Sequence, residues 1–323
     1  MPSSHEDPAE RIQNLLDRAE PRLRAAFLRM VAQIQSAFTL GEIADAIENG
    51  GMEAALDAAL RAAPALGEAY VDTFIEAAKD TAREIGVALG DIPVIFDQTN
   101  QRAVDMMNHN KLRLVQNVTE DQRIAMRGLI SQGISEGRNP LDIARSFRDQ
   151  IGLTPRQQQA VANYRRALQN LDAGALDREL RDRRFDRTIA AAIRDGDKLT
   201  SKQINDAVQR YTERMLKYRS EVIARTEALR SVHQGVDEMY RQSIADGTLR
   251  PDSLSREWNT AHDERVRDSH ATMDGQVQPF GSPFTSGAGN ILDYPGDPNA
   301  PPEETIQCRC AVGTRITNIG ELV

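Results

Sequence analysis

The two cysteines of the chain stand as Cys308-Arg309-Cys310, and two of its five histidines, His262 and His270, precede them in the same C-terminal stretch. Thiolate sulfur and imidazole nitrogen are preferred zinc ligands, so Cys308, Cys310, His270 and His262 form a candidate metal set. A small, loop-rich segment has a thin core and gains from such a staple. The spacing is less regular than C-x-x-C, and no second cysteine pair is present. A disulfide within C-x-C would be strained. The competing reading is packing. Residues two apart on a strand point to one face, where thiols behave as small apolar groups. At this level the chain holds either no cofactor or a structural zinc ion.

Asp263, Arg265, Arg267 and His270 make the densest polar constellation. A catalytic reading makes His270 a general base oriented by Asp263. No nucleophile turn, phosphate-cradling glycine loop or paired carboxylates accompany it. Arginine forks that tie carboxylates and carbonyls across loops are the better reading, and the expectation is a structural set without catalysis. Trp258, the only tryptophan, reads as the centre of a small core rather than as an interface anchor.

These residues need elements to hold them, and the sequence upstream is helical in pattern. Apolar residues recur at helical spacing from about 8 to 36 (Ile12, Leu15, Leu16, Leu23, Phe27) and from about 66 to 87 (Tyr70, Phe74, Ala78, Ile85). Two short helices are expected between Phe38 and Leu60, broken at Gly50-Gly51. Val94 to Leu112 reads as a helix, with a second opened by a capping box at Thr119 to Gln122. Asn139-Pro140 and Thr154-Pro155 each start another. Leu176 to Arg194 continues helical. Thr200 caps a helix to about Tyr211, and a long helix follows from about 213 to 245, stopped by Gly247. After Pro251 short strands are expected at Glu257 to Thr260, Gln276 to Phe280 and Cys310 to Ile316, among Gly/Pro-rich loops. The expected architecture is a mainly α N-terminal body over 1–150, a helical region with a long connecting helix over 151–250, and a small α+β loop-rich domain over 251–323.

At 323 residues the chain has room for two or three domains. A net charge of −8 and a pI near 5.3 argue against nucleic-acid binding by bulk charge. The arginine-rich stretches at 178–187 and 210–230 are interleaved with Asp and Glu, as on solvated helix faces. No apolar run reaches the roughly 20 residues of a membrane span. The first residues lack the basic and apolar regions of a secretory signal, so a soluble protein made in a cytoplasm is expected.

Several pieces taken in order resemble the Mu F-like phage head morphogenesis family, also called minor head or minor capsid proteins. They are Ala224-Arg225-Thr226-Glu227, Trp258, Asp263-x-Arg265-Val266-Arg267-x-x-His270, Asp274-Gly275, the turn Tyr294-Pro295-Gly296-Asp297-Pro298, and Cys308-Arg309-Cys310. Gly152-Leu153-Thr154-Pro155 is similar to its upstream part. The resemblance covers about the C-terminal half. It implies a non-enzymatic minor head protein located in the virion head, and in the host cytoplasm during assembly. The implied partner is the phage portal protein. Major capsid or scaffold protein and packaged DNA are implied as further contacts, and no membrane is. Some relatives carry additional Cys or His near Arg267 and just before C-R-C; Arg267 and Ile306-Gln307 stand there in this chain. Two other functional readings attach to the family: a toxin-type effector carried on the head domain, and a head-completion adaptor forming a ring on the portal.

Overall fold

Side-chain caps set the starts of several helices. Thr39 makes a reciprocal capping box with Glu42, Thr154 another with Gln157, and Asn139 accepts from Leu141 N–H ahead of Pro140. The computed structural model describes residues 7–50 and 64–317. Its helices are α1 (Pro8–Ser36), α2 (Leu40–Asn49), α3 (Pro64–Ala88), α4 (Gln101–Ser135), α5 (Pro140–Asp149), α6 (Pro155–Gln169), α7 (Asp186–Asp195) and α8 (Ser201–Ala245). Then come β1 (Leu254–Asn259), α9 (Asp268–Ala271), β2 (Val277–Pro279), β3 (Phe284–Thr285), β4 (Ile291–Leu292), α10 (Pro302–Thr305) and β5 (Ala311–Ile316). The mostly helical N-terminal region and the small antiparallel sheets after it agree with the expected class. Gly50 ends α2 in the left-handed conformation; the second short helix expected after it lies outside the described residues. Among the described residues no helix is long and apolar enough to cross a membrane.

Three boundaries differ from the sequence reading. The helix expected over 94–112 and the one capped at Thr119 are a single helix starting at Gln101. Thr119 points its hydroxyl back to the Gln116 carbonyl, and the Gln122 amide is used elsewhere: it accepts from Gly152 N–H at 2.7 Å and donates to the Leu153 carbonyl. With no glycine or proline nearby, nothing breaks the helix, and the local capping pattern loses to continuity. The stretch 176–194 is helical only from Asp186. Before it, Asp172 and Asp182 cap two short 3-10 turns by accepting from backbone N–H two residues on. The two helices expected across 200–245 are one.

The chain packs as two compact units. One comprises Phe27–Ala65 and Leu114–Ser220. Its core gathers Leu153, Val161, Tyr164, Leu168, Val208 and Tyr211. Arg219 donates to the Gly152 carbonyl and pairs with Asp121 at 2.8 Å.

The other unit comprises Met1–Ala26, Leu66–Arg113 and Glu221–Val323. Residues 251–317 thus pack in the same unit as the later half of α8. The reason is burial: from Thr226 to Tyr240, α8 is covered on all sides. At Gly235 a Cβ would lie 2.3 Å from the Phe74 carbonyl, so only glycine admits this approach of α3. Polar residues on the buried helix are paired: Gln234 accepts from the Tyr70 hydroxyl at 2.5 Å and from Asn110, and Glu238 receives Arg102 at 2.7 Å. The sheet has the order β2-β1-β5, all antiparallel, with Trp258 opposite Val312. Alternation along β1 turns Leu254, Arg256 and Trp258 inward. A two-stranded sheet, β3 with β4, lies beside it in sequence.

Candidate metal centre

The central strand β1 carries Trp258, which is completely buried. The chain leaves β1, passes through Arg267 in an extended conformation and turns into α9, which presents His270 inward. It returns through α10, which carries Glu304, and reverses at Gln307, a non-glycine residue held at φ 57°. Cys308 and Cys310 then enter the core at the start of β5. Both thiols are free. His270, Cys308 and Cys310 are between 1 and 3% exposed.

These three side chains converge. His270 Nδ1 lies 3.5 Å from Cys308 Sγ and 3.4 Å from Cys310 Sγ. Zinc bonds of about 2.3 Å to sulfur and about 2.0–2.1 Å to nitrogen put tetrahedral N and S ligands about 3.5 Å apart. The donor atoms of all three residues lie within 4.8 Å of one another. The observed spacing therefore fits one zinc-sized ion. The other ring nitrogen, Nε2, is 2.9 Å from Glu304 Oε2. A carboxylate behind the imidazole is the usual partner of a ligating histidine, because it fixes the ring and frees the opposite nitrogen to bind metal.

Glu304 is only 2% exposed and is anchored in turn. Ser286 Oγ and Asn290 Nδ2 each donate to its Oε1 at 2.8 Å, and Ser269 Oγ donates to Oε2 at 2.9 Å. Burial pushes its carboxyl pKa up, but these hydrogen bonds, led by Asn290, outweigh it and hold the group below its ordinary value. In the metal-free pair, Cys308 is drawn well below the ordinary thiol value, first by the Cys310 hydrogen bond, with help from His270. Cys310 is pushed up by the same contact and by burial. The Cys310 backbone N–H also faces the Cys308 sulfur at 3.4 Å. The Trp258 indole meets the His270 ring edge-on at 5.5 Å, and Phe284 at 5.4 Å, and so closes the cluster.

His262 does not join this group, which corrects the expected four-ligand set. Asp274 Oδ1 accepts from both the backbone N–H and the hydroxyl of Thr260, turning the chain outward just past β1. His262 follows at φ 50° with its side chain 70% exposed, 3.6 Å from Asp274 Oδ2. The other motif residues lie in surrounding links. Asp263 receives both guanidinium nitrogens of Arg309, accepts from Arg265 N–H, and is held at about 2, chiefly by Arg309. Arg267 donates to the Ile306 carbonyl. Gly275, at φ 73°, donates its N–H to the Trp258 carbonyl at 2.8 Å.

The Arg225-Thr226-Glu227 stretch of α8 meets the same surroundings. Arg225 pairs with Glu20 at 2.8 Å, Thr226 Oγ1 accepts from Gln307 N–H at 3.2 Å, and Glu227 pairs with Arg230 at 2.8 Å. Arg230 also donates to the Gly296 carbonyl at 3.0 Å, docking the Tyr294–Pro298 turn. The sequence reading missed Glu304 with its donors Ser269, Ser286 and Asn290. The one local signal was position: Ser269 adjoins His270, and Glu304 lies one helical turn before Cys308.

Comparison with known proteins bears on this stretch. Residues 183–313 match the family model described as Phage Mu protein F like protein. No curated protein and no solved structure matches the chain. The match runs from the turn before α7, through α8, to the strand that follows the two cysteines. The chain thus carries, over residues 183–313, a Mu F-like domain.

Proposed function

We propose that this protein is a minor head protein of a phage, which associates with the portal vertex and acts in procapsid assembly without catalysis. The observation that carries the reading is the Mu F-like match over residues 183–313. The reading is supported by how that segment is built. Arg225, Thr226, Glu227, Trp258, Asp263, Arg265, Arg267, Asp274 and Gly275 all lie in or beside links that hold turns together, the pattern of a docking module rather than a substrate cleft. The same reading locates the protein in the virion head and, during assembly, in the host cytoplasm. Major capsid or scaffold protein and packaged DNA are its further neighbours there.

The reading includes a structural zinc ion held by His270 Nδ1, Cys308 and Cys310. Supporting it are the sulfur–nitrogen spacing and the carboxylate of Glu304 behind the imidazole. Bound zinc supplies a cross-link between α9 and the start of β5. The chain's own contribution is to hold the imidazole in place beside Glu304 and to enclose the group with Trp258 and Phe284.

Heads purified from phage-producing cells test the function. The wild-type protein is expected in heads at a few copies each, and the His270→Ala chain at a strongly reduced level, with lower infectivity. Absence of the wild-type chain from heads would overturn the reading.

A further inference from the structure

Beside the metal centre, one cavity of about 630 Å³ lies wholly within the unit that carries the sheet. Five of its lining residues are arginines: Arg24, Arg225, Arg265, Arg267 and Arg309. Three carboxylates, Asp17, Glu20 and Glu221, line it as well. The cations are unequally neutralised. Arg225 is held by Glu20 and Arg309 by Asp263, both in two-point contacts. Arg24 reaches Glu221 only at 4.0 Å. Arg265 is 3.9 Å from Asp263, and its side chain is 74% exposed. Arg267 donates to a neutral carbonyl, that of Ile306. Arg265 and Arg267 are two residues apart, separated by Val266, and both line the same cavity. Two guanidinium forks that line one cavity, with weak or neutral partners, offer paired donors to the planar, two-oxygen face of an oxyanion.

We propose that this cavity is a docking site for a carboxylate side chain on a mixed-charge segment of a protein partner, received between Arg265 and Arg267. Two observations favour a carboxylate of a peptide over a nucleic-acid backbone. The volume accommodates a few side chains, not a duplex. Asp17, Glu20 and Glu221 stand within the same lining, where an unbroken row of phosphates would meet repulsion, whereas a Glu or Asp flanked by Lys or Arg finds opposite charges on both sides. The pocket is built from α1, α8, the Arg265–Arg267 stretch that leads into α9 and the Gln307–Arg309 turn that leads into β5. That the partner is a protein rests on the head-assembly reading above.

The test uses the full chain and a fluorescein-labelled hexapeptide, Ala-Lys-Glu-Glu-Lys-Ala, with a labelled thymidine hexanucleotide as comparison. Fluorescence anisotropy is expected to give saturable peptide binding that weakens as salt rises. Arg265→Glu is expected to weaken it about tenfold or more, and Arg265→Lys by several-fold, since an ammonium cannot supply the fork. Because the Arg265 side chain is mostly exposed, the melting temperature of both variants should match the wild type. Absence of saturable peptide binding, or equal binding by Arg265→Glu, overturns the proposal. Tighter binding of the hexanucleotide that is lost in Arg265→Glu overturns it in favour of a phosphate site. No phage component enters the assay, so a negative result here leaves the head-assembly reading intact, and a failed portal capture would leave this result intact.

Discussion

Replacing Glu304 by glutamine changes one oxygen into an NH2 and leaves the shape unchanged. Both carboxylate oxygens accept hydrogen bonds, from Ser286 and Asn290 at Oε1 and from Ser269 at Oε2, and His270 Nε2 lies 2.9 Å from Oε2. Wherever the amide nitrogen is placed, it takes the place of a charged oxygen that these groups surround. At the Oε1 end it opposes the donating amide of Asn290. At the Oε2 end it replaces the charged oxygen that lies 2.9 Å from His270 Nε2, so the ring loses its carboxylate partner. Hydrogen bonds to a buried charged group contribute roughly 1.5–3 kcal/mol each, and leaving a buried donor unsatisfied costs roughly 1–3 kcal/mol more. Serine hydroxyls can rotate to recover part, so a net loss of about 3 kcal/mol is expected. Loss of a carboxylate behind a ligating histidine lowers metal affinity by about 10–100-fold. Urea unfolding followed by tryptophan fluorescence reads the stability at the site itself, because Trp258 is the only tryptophan and packs on His270. Competition with a chromophoric chelator reads the zinc affinity. A Glu304→Gln protein with stability within about 0.5 kcal/mol of wild type, the scatter of neutral surface substitutions, and with unchanged zinc affinity would refute this account of the site.

Three further outcomes follow from other parts of the unit. His233 donates from Nδ1 to the Leu229 carbonyl and accepts Val312 N–H at Nε2, so it is neutral, and burial lowers its pKa from 6.5 to about 4. Its contribution is present above pH 6.5 and lost as pH falls towards 4, up to about 3 kcal/mol; His233→Gln should flatten the stability profile across that window and leave its slope elsewhere unchanged. Gly235→Ala should destabilise by roughly 2–3 kcal/mol despite alanine's higher helix propensity, because its Cβ meets the Phe74 carbonyl at 2.3 Å; unfolding by circular dichroism measures this. A chain cut after Arg250 should associate or aggregate on size exclusion, because it uncovers Leu229 beneath Gly296, His233 beneath Tyr294 and Tyr240 beneath Phe280; a soluble monomer would contradict that packing.

Local signals made the helical body legible. Apolar stripes in α1 and α3, and the caps at Asn139 and Thr154, depend on neighbours a few residues away, and the structure retains them. Boundaries decided by distant partners were not legible: Gln122 caps nothing because Gly152 and Leu153 take its amide. The metal candidates were legible by residue type, and three of the four converge. His262 does not, because a turn anchored by Asp274 faces it outward. Glu304 was invisible for the opposite reason. A glutamate following two prolines looks like surface, and only the fold brings Ser269, Ser286 and Asn290 around it. The units are likewise defined by packing across long stretches of chain, which periodicity along the sequence does not encode.

The proposed role of this chain at the portal of an assembling phage head is tested most directly by capture from phage-producing cells, with the portal protein of the same phage as bait. The account predicts co-purification of the full chain with the portal before DNA is packaged, in a ratio of a few copies per portal ring, weakened by Glu304→Gln and by His270→Ala. Portal recovered from assembling heads free of this chain, under conditions where the chain is made and folded, would contradict it.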